Sequence, residues 1–312
     1  MIKKEKCKLI ISHIYIMRTI VLNRNNIVPD GDNNKLVYDF NGSVVFKDSY
    51  IAVSQVSMYY SWFNISTRLQ NNTFTYIWTV GGTATVYTVL IPDSLVEISN
   101  INQYLQYTMI ANGHYLINGS GENVYYVELL VNPSRYAVQI NTFLVPTTLP
   151  AGFTAPAGFA GFPTTARNPV ITLPSKINDI FGYVAGYTTS GNVANTYVAP
   201  TNQDKIAKTA GGTISYLSTK SPDIQPNSSI LVSMSNIDNK YSSLSSLIYS
   251  VVPSVAIGGL INDRPSQLVF NKLIEGTYNQ LRITLLGTDL NPIVINDPAI
   301  SILLVIKDKG EN

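Results

Sequence analysis

The sequence predicts an all-β, antiparallel protein with one short helix and a β- and loop-rich insertion or second β module, an arrangement compatible with a jelly-roll sandwich. Three observations predict it. Seven or more stretches alternate apolar and polar residues with a period of two, a single stretch has a helical period, and Gly-, Pro- and Asn-rich breaks separate them. A period of two sends alternate side chains to opposite faces, so each such segment buries one face and wets or pairs the other. The clearest strands are Tyr136–Ile140, Leu281–Leu285 and Ile300–Ile306.

The first sixteen residues read unlike the rest and are expected to stand apart from the fold. Lys3, Lys4, Lys6 and Lys8 followed by an apolar run imitate a signal peptide, but no small-residue cleavage site follows Ile16, and a strand-like Thr19–Leu22 comes directly after Met17. Met17 is therefore an alternative start, and a product beginning there contains no cysteine and one histidine. From Ile51 the alternation changes phase. Ile51 and Val53 share one parity while Val56, Met58, Tyr60 and Trp62 take the other, which predicts a β-bulge near Ser54-Gln55.

Strands are predicted at 73–80 and 85–91 around a Gly81-Gly82 turn, and at 123–131 and 134–144 around Asn132-Pro133. Between these pairs Ile101, Leu105 and Met109 recur at i, i+4 and i+8, with Ser99 or Asn100 as the cap and Asn112-Gly113 as a left-handed exit. From Val145 to Pro174 the prolines Pro146, Pro150, Pro156, Pro163 and Pro169 alternate with Gly152, Gly158 and Gly161, which predicts a loop. The three rings Phe153, Phe159 and Phe162 imply that it docks on something. Strands resume at 229–235, 247–252 and 267–270. The expected organisation is thus an extension at 1–16, a first sandwich part at 17–145, an insertion or connecting module at 146–225, and at 226–312 the strands that complete the sandwich or form a second module.

Composition bounds the function. Charged residues are 13% of the 312, about half the usual ~25%, a surface suited to packing against other protein. Residues 1 to 24 hold six basic residues against Glu5 alone, a local +5 that leaves −3 for the rest of a net +2 chain. The body is no nucleic-acid surface, and contact with nucleic acid is expected only through the basic N-terminus. One cysteine excludes an intramolecular disulfide and a Cys-based zinc site. No apolar run approaches the ~20 residues of a membrane span. Sequons at Asn41, Asn64, Asn71, Asn118 and Asn227 are what so Asn-, Ser- and Thr-rich a chain produces by chance.

Chemistry is hardly written here. His114 is the only histidine beyond the N-terminal stretch; a helix-terminal histidine suggests capping or surface, and no Gly-x-Ser-x-Gly elbow accompanies it. Glu97, Glu122, Glu128, Asp263, Asp289 and Asp297 are scattered. Asp263-Arg264-Pro265 and Asp297-Pro298 read as loop punctuation. No catalytic, cofactor or metal residue is assigned. The consecutive Tyr59, Tyr60, Trp62 and Phe63 suit a core or a protein interface better than a ligand platform, and with Phe153, Phe159 and Phe162 they form the interface candidates.

The order of several short motifs along residues 18 to 307 resembles one family. The motifs are Val56-Ser57-Met58-Tyr59-Tyr60-Ser61-Trp62-Phe63-Asn64-Ile65, Ile101-Asn102-Gln103-Tyr104-Leu105 with Asn112-Gly113-His114-Tyr115, Asn132-Pro133-Ser134-Arg135-Tyr136-Ala137-Val138, and Tyr278-Asn279-Gln280-Leu281-Arg282-Ile283 with Asp297-Pro298. In this order they resemble the penton, or minor capsid, proteins of virophages and polinton-like viruses. The resemblance implies a jelly-roll protein of the virion, assembled inside the host cell. It would form homopentamers at the five-fold vertices of an icosahedral shell built mainly from a double-jelly-roll major capsid protein, with no cofactor. A cementing capsid position, a β-sandwich carbohydrate-binding or adhesion module and, last, a carboxylate glycosidase are the competing readings.

Overall fold

Alternating strands arrange themselves into two units in the computed structural model, which describes residues 15–190, 213–225 and 227–309. One unit takes the described residues up to Trp62 together with those from Asn227 onward. The other runs from Phe63 to residue 225.

Strands are numbered along the whole chain. The first unit holds β1 (Tyr15–Leu22), β2 (Lys35–Phe46), β3 (Tyr50–Tyr59), β12 (Ile230–Met234), β13 (Leu247–Val251), β14 (Leu260–Asp263), β15 (Asn271–Lys272), β16 (Gly276–Leu286) and β17 (Ser301–Lys309). One sheet is ordered β1-β17-β3-β14, with β15 also paired to β3, and the other β13-β12-β16-β2; every pairing is antiparallel. If the short β15 is set aside and the remaining strands are lettered B to I along the chain, the sheets read B-I-D-G and F-E-H-C. That is jelly-roll order, two Greek keys wrapped into a sandwich.

The alternation explains which faces meet. Leu22, Val56, Met58, Ile302 and Leu304 of the first sheet are buried, as are Leu36, Val232, Leu281 and Ile283 of the second. The bulge lies where the phase change places it. Leu303 pairs with Gln55 and Leu304 with Val53, so Ser54 is the extra residue, and its hydroxyl donates to the Leu303 carbonyl at 3.3 Å. The strand at 300–306, apolar on both parities, is interior to its sheet, between β1 and β3. Ile302, Leu304 and Ile306 are buried, while Leu303 and Val305 on the opposite face are only half covered.

Two expectations are corrected here. The first strand starts at Tyr15, paired with Lys309, two residues before Met17; residues 1–14, including Cys7, His13 and the lysine cluster, lie outside the described residues. No strand forms at 267–270. The pairing residues are the next two, Asn271 and Lys272, which meet Ile51 and Tyr50.

The second unit holds β4 (Thr73–Val80), β5 (Thr83–Leu90), α1 (Ile98–Ala111), β6 (Tyr115–Ile117), β7 (Asn123–Tyr125), β8 (Val127–Asn132), β9 (Ala137–Phe143), β10 (Val170–Thr172), α2 (Ile177–Phe181) and β11 (Thr213–Leu217). Its sheets are β10-β4-β5, β11-β9-β8 and the hairpin β6-β7. Helix α1 lays Ile98, Ile101, Leu105 and Met109 into the core. Its cap is Glu97 rather than Ser99 or Asn100: Asn100, three residues in, accepts from the Glu97 N–H at 3.1 Å through its side-chain oxygen. The exit is as expected. Gly113 has φ +67°, and an added Cβ would lie 2.2 Å from the Gly158 carbonyl oxygen, so conformation and space both require glycine.

Residues 146–225 supply more than a loop. β10 pairs with β4, β11 with β9, and Ile171, Leu173, Ile177, Phe181, Tyr183 and Tyr216 are buried in this unit's core. Phe153, Phe159 and Phe162 rest half-buried against the same core. The five-residue α2 is too short to show a helical period in sequence.

Candidate functional site

The arrangement offers surfaces rather than a reaction centre. On the β10-β4-β5 sheet, register places Thr73 beside Leu90, Thr75 beside Thr88, Ile77 beside Val86 and Thr79 beside Ala84, and Val170 and Thr172 continue two of these rows on β10. Directly paired residues share a face. The opposite face of β4, carrying Phe74, Tyr76 and Trp78, is buried, so this uncharged set lies on the outer face, with Thr79 alone among them covered. Val86 and Leu90 are 60% and 62% exposed. Such a face of threonine and aliphatic side chains has little water to strip from charges when another protein covers it.

A second surface lies on the jelly roll. β1 is a terminal strand of its sheet, and Ile16, Met17 and Val21 are exposed along it. Beside them Lys307 sits with its Nζ 4.0 Å from the centre of the Tyr15 ring, and Arg18 approaches Asp308 at 3.7 Å. An edge strand with exposed aliphatic residues is a pairing template that soluble proteins ordinarily blunt.

The interface candidates divide. Tyr59 is exposed, on the outer side of β3 beside Leu260, whereas Tyr60 and Trp62 are buried, their rings 4.2 Å apart, as the core alternative has it. Phe63 is half-buried, and so are Phe153, Phe159 and Phe162, the last two in ring contact at 4.7 Å. The structure does not bring the seven together on one surface of either unit. Sequence reading missed the β4-β5 face, although the alternation of Ala84, Val86, Thr88 and Leu90 with Thr85, Tyr87 and Val89 already separates its two sides.

His114 is neither a cap nor at the surface. Fully buried, it shares a 2.8 Å hydrogen bond between Nδ1 and the Tyr76 hydroxyl, stacks on Trp78 at 4.7 Å and meets the edge of Tyr87 at 4.4 Å. Its Nε2 has no hydrogen-bond partner among the described residues. Burial lowers its pKa to about 4 and pushes the Tyr76 and Tyr126 hydroxyls well above their ordinary range. An imidazole walled by rings has no route to a substrate, so its role is packing.

The carboxylates serve local structure. Glu128, buried, accepts from the Asn141 amide at 2.8 Å, in a run of buried amides that joins Asn132 to Gln139 and Gln139 to Asn141. Asp297 accepts from the Ala299 N–H and Asp289 from that of Asn291, both as loop punctuation. Asp263, expected in a loop, ends β14 and accepts from the Tyr249 hydroxyl. No group of three or more metal-ligating side chains occurs among the described residues, and no described helix is long and apolar enough to cross a membrane. Of the sequons, Asn64 and Asn71 are buried and bound: Asn64 donates to the carbonyls of Val96 and Ile224 at 2.7 Å each.

Strand order and surfaces thus define a jelly-roll protein with an additional β-rich unit. Among solved structures the chain is similar to the mavirus penton protein, with 9% identity and a TM-score of 0.42 over 96% of this chain and 99% of that one. It is also similar to a chain in the 3.5 Å cryo-EM structure of the Sputnik virophage, with 9% identity and a TM-score of 0.40 over 95% and 98%. No family model matches the sequence, and no curated protein matches it.

Proposed function

We propose that this chain is a structural capsid protein, the penton, which self-assembles as a homopentamer at the five-fold vertices of an icosahedral virion and meets a double-jelly-roll major capsid protein around its rim. The observation that carries the reading is the jelly-roll strand order of the first unit. The ordered motifs at 56–65, 101–115, 132–138 and 278–283 accord with it. The exposed edge of β1 and the uncharged β4-β5 face supply two surfaces of the kind that lateral assembly covers. No catalytic residue is assigned, because Glu128, Asp263, Asp289 and Asp297 each accept a local hydrogen bond and His114 is sealed. The test is sedimentation and negative-stain imaging of the purified protein, alone and co-expressed with its major capsid partner. Five-fold rings or incorporation into shells are expected. A protein that stays monomeric and is excluded from shells would overturn the proposal.

A further inference from the structure

An open groove of about 600 Å³ runs between α1 and the segment that enters it, walled by Leu90, Pro92, Leu95 and Val96 on one side. Its other wall is the outward ridge of the helix, Asn100, Gln103, Tyr104 and Tyr107, spaced i, i+3, i+4 and i+7 and hence on one face, opposite the core residues. The volume lies within the range of small-ligand sites. Nothing in the lining is charged.

We propose that this groove binds a neutral saccharide. Two features select that class. The first is the side-chain chemistry. The exposed phenol ring of Tyr107 offers a face for the C–H side of a sugar ring, and the amide of Gln103 offers a donor and an acceptor for hydroxyls. Tyr107 is 72% exposed and Gln103 is exposed, and neither side chain makes a hydrogen bond among the described residues, so both are available, while Tyr104 is half-buried against the unit's core and forms the floor of the groove. With neither a cation nor an acid in the lining, a charged ligand finds no counter-charge. The second feature is the backbone. The Ile91 N–H donates to Asn72, Ser94 exchanges both bonds with Ile65, and Val96 is held through N–H and carbonyl by the Asn64 side chain. A peptide laid in the groove would find these main-chain groups taken, whereas a sugar needs only the side chains.

Saturation-transfer NMR on the full chain with chitobiose, cellobiose, lactose and maltose tests the proposal. At least one disaccharide is expected to receive transfer at its ring protons, with binding insensitive to salt. Tyr107→Ala should weaken that binding about tenfold. Gln103→Ala should weaken it as well, and Tyr241→Ala, a fully exposed ring on the other unit, should leave it unchanged. Because Tyr107 and Gln103 are exposed, neither change should move the melting temperature. Absence of transfer to all four disaccharides, binding indifferent to Tyr107→Ala, or occupation of the groove by a proline-rich peptide in preference to the sugars would each overturn it. The groove shares Leu90 with the outward β4-β5 face, so the measurement is run on unassembled protein, where its outcome does not depend on pentamer formation.

Discussion

Asn64 shows how much a single polar side chain holds here. Its amide donates to two carbonyls far apart in sequence, Val96 at the entry to α1 and Ile224 near the end of the unit, 160 residues from Asn64, and its oxygen receives the Val96 N–H at 2.9 Å. Asn64→Ala strands two buried backbone groups of Val96 and the part-buried carbonyl of Ile224 at once. At roughly 1–3 kcal/mol for each orphaned group, partly relieved by entering water, a loss of about 3 kcal/mol is expected in urea denaturation, and glycosylation at this sequon is expected only on unfolded chains. His114 gives a pH signature of known sign. Its folded pKa of about 4 lies below the ordinary 6.5, so the unfolded chain binds the proton first. Its contribution to stability is complete above pH 6.5 and is lost as pH falls toward 4, by on the order of 2–3 kcal/mol. His114→Gln, which retains a partner for the Tyr76 hydroxyl and does not titrate, should flatten the melting-temperature profile across that window without affecting assembly.

Strand β17 has two unlike faces. Ile302 is fully buried and Leu303, its neighbour, half-covered on the outer side. Ile302→Asp places an unpaired charge in the sandwich, at a cost comparable to the ~5–15 kcal/mol stability of a domain, so insoluble or unfolded protein is expected. Leu303→Asp should fold, with a modest fall in melting temperature by circular dichroism. This strand was legible in sequence, as were β4, β16, the bulge at Ser54 and α1, because each carries a long or clean period. β2 was not read, although it has twelve residues: Asn41-Gly42-Ser43 interrupts its alternation, and its pairing with β16 shifts register between Tyr278 and Gln280. β10, β11 and β14 have three to five residues each, too few to show a period at all.

At the scale of the whole molecule, the sequence marked 146–225 as the intruding piece, since composition changes at its Pro- and Gly-rich start. The second compact unit begins much earlier, at Phe63, one residue after a buried tryptophan and in the middle of an aromatic run that looks continuous. No composition change marks that point. The candidate surfaces were less legible than the core for the same reason: a face is assembled by strand register, and the register of β5 on β4 is not written in either strand alone.

The pairing of β1 with β17 has a consequence for how the protein is made. Tyr15 meets Lys309, so the jelly roll closes only once residue 309 has been synthesised, whereas residues 63–225 are contiguous and complete well before. At ~5–20 residues per second, the first strand waits on the order of tens of seconds for its neighbour, with Ile16, Met17 and Val21 uncovered on both edges. Limited proteolysis of stalled nascent chains should find the 63–225 region protected in a chain ending near residue 265, and β1 protected only after β17 has left the ribosome. If β1 resists protease in the shorter chain, something other than its native partner is holding it.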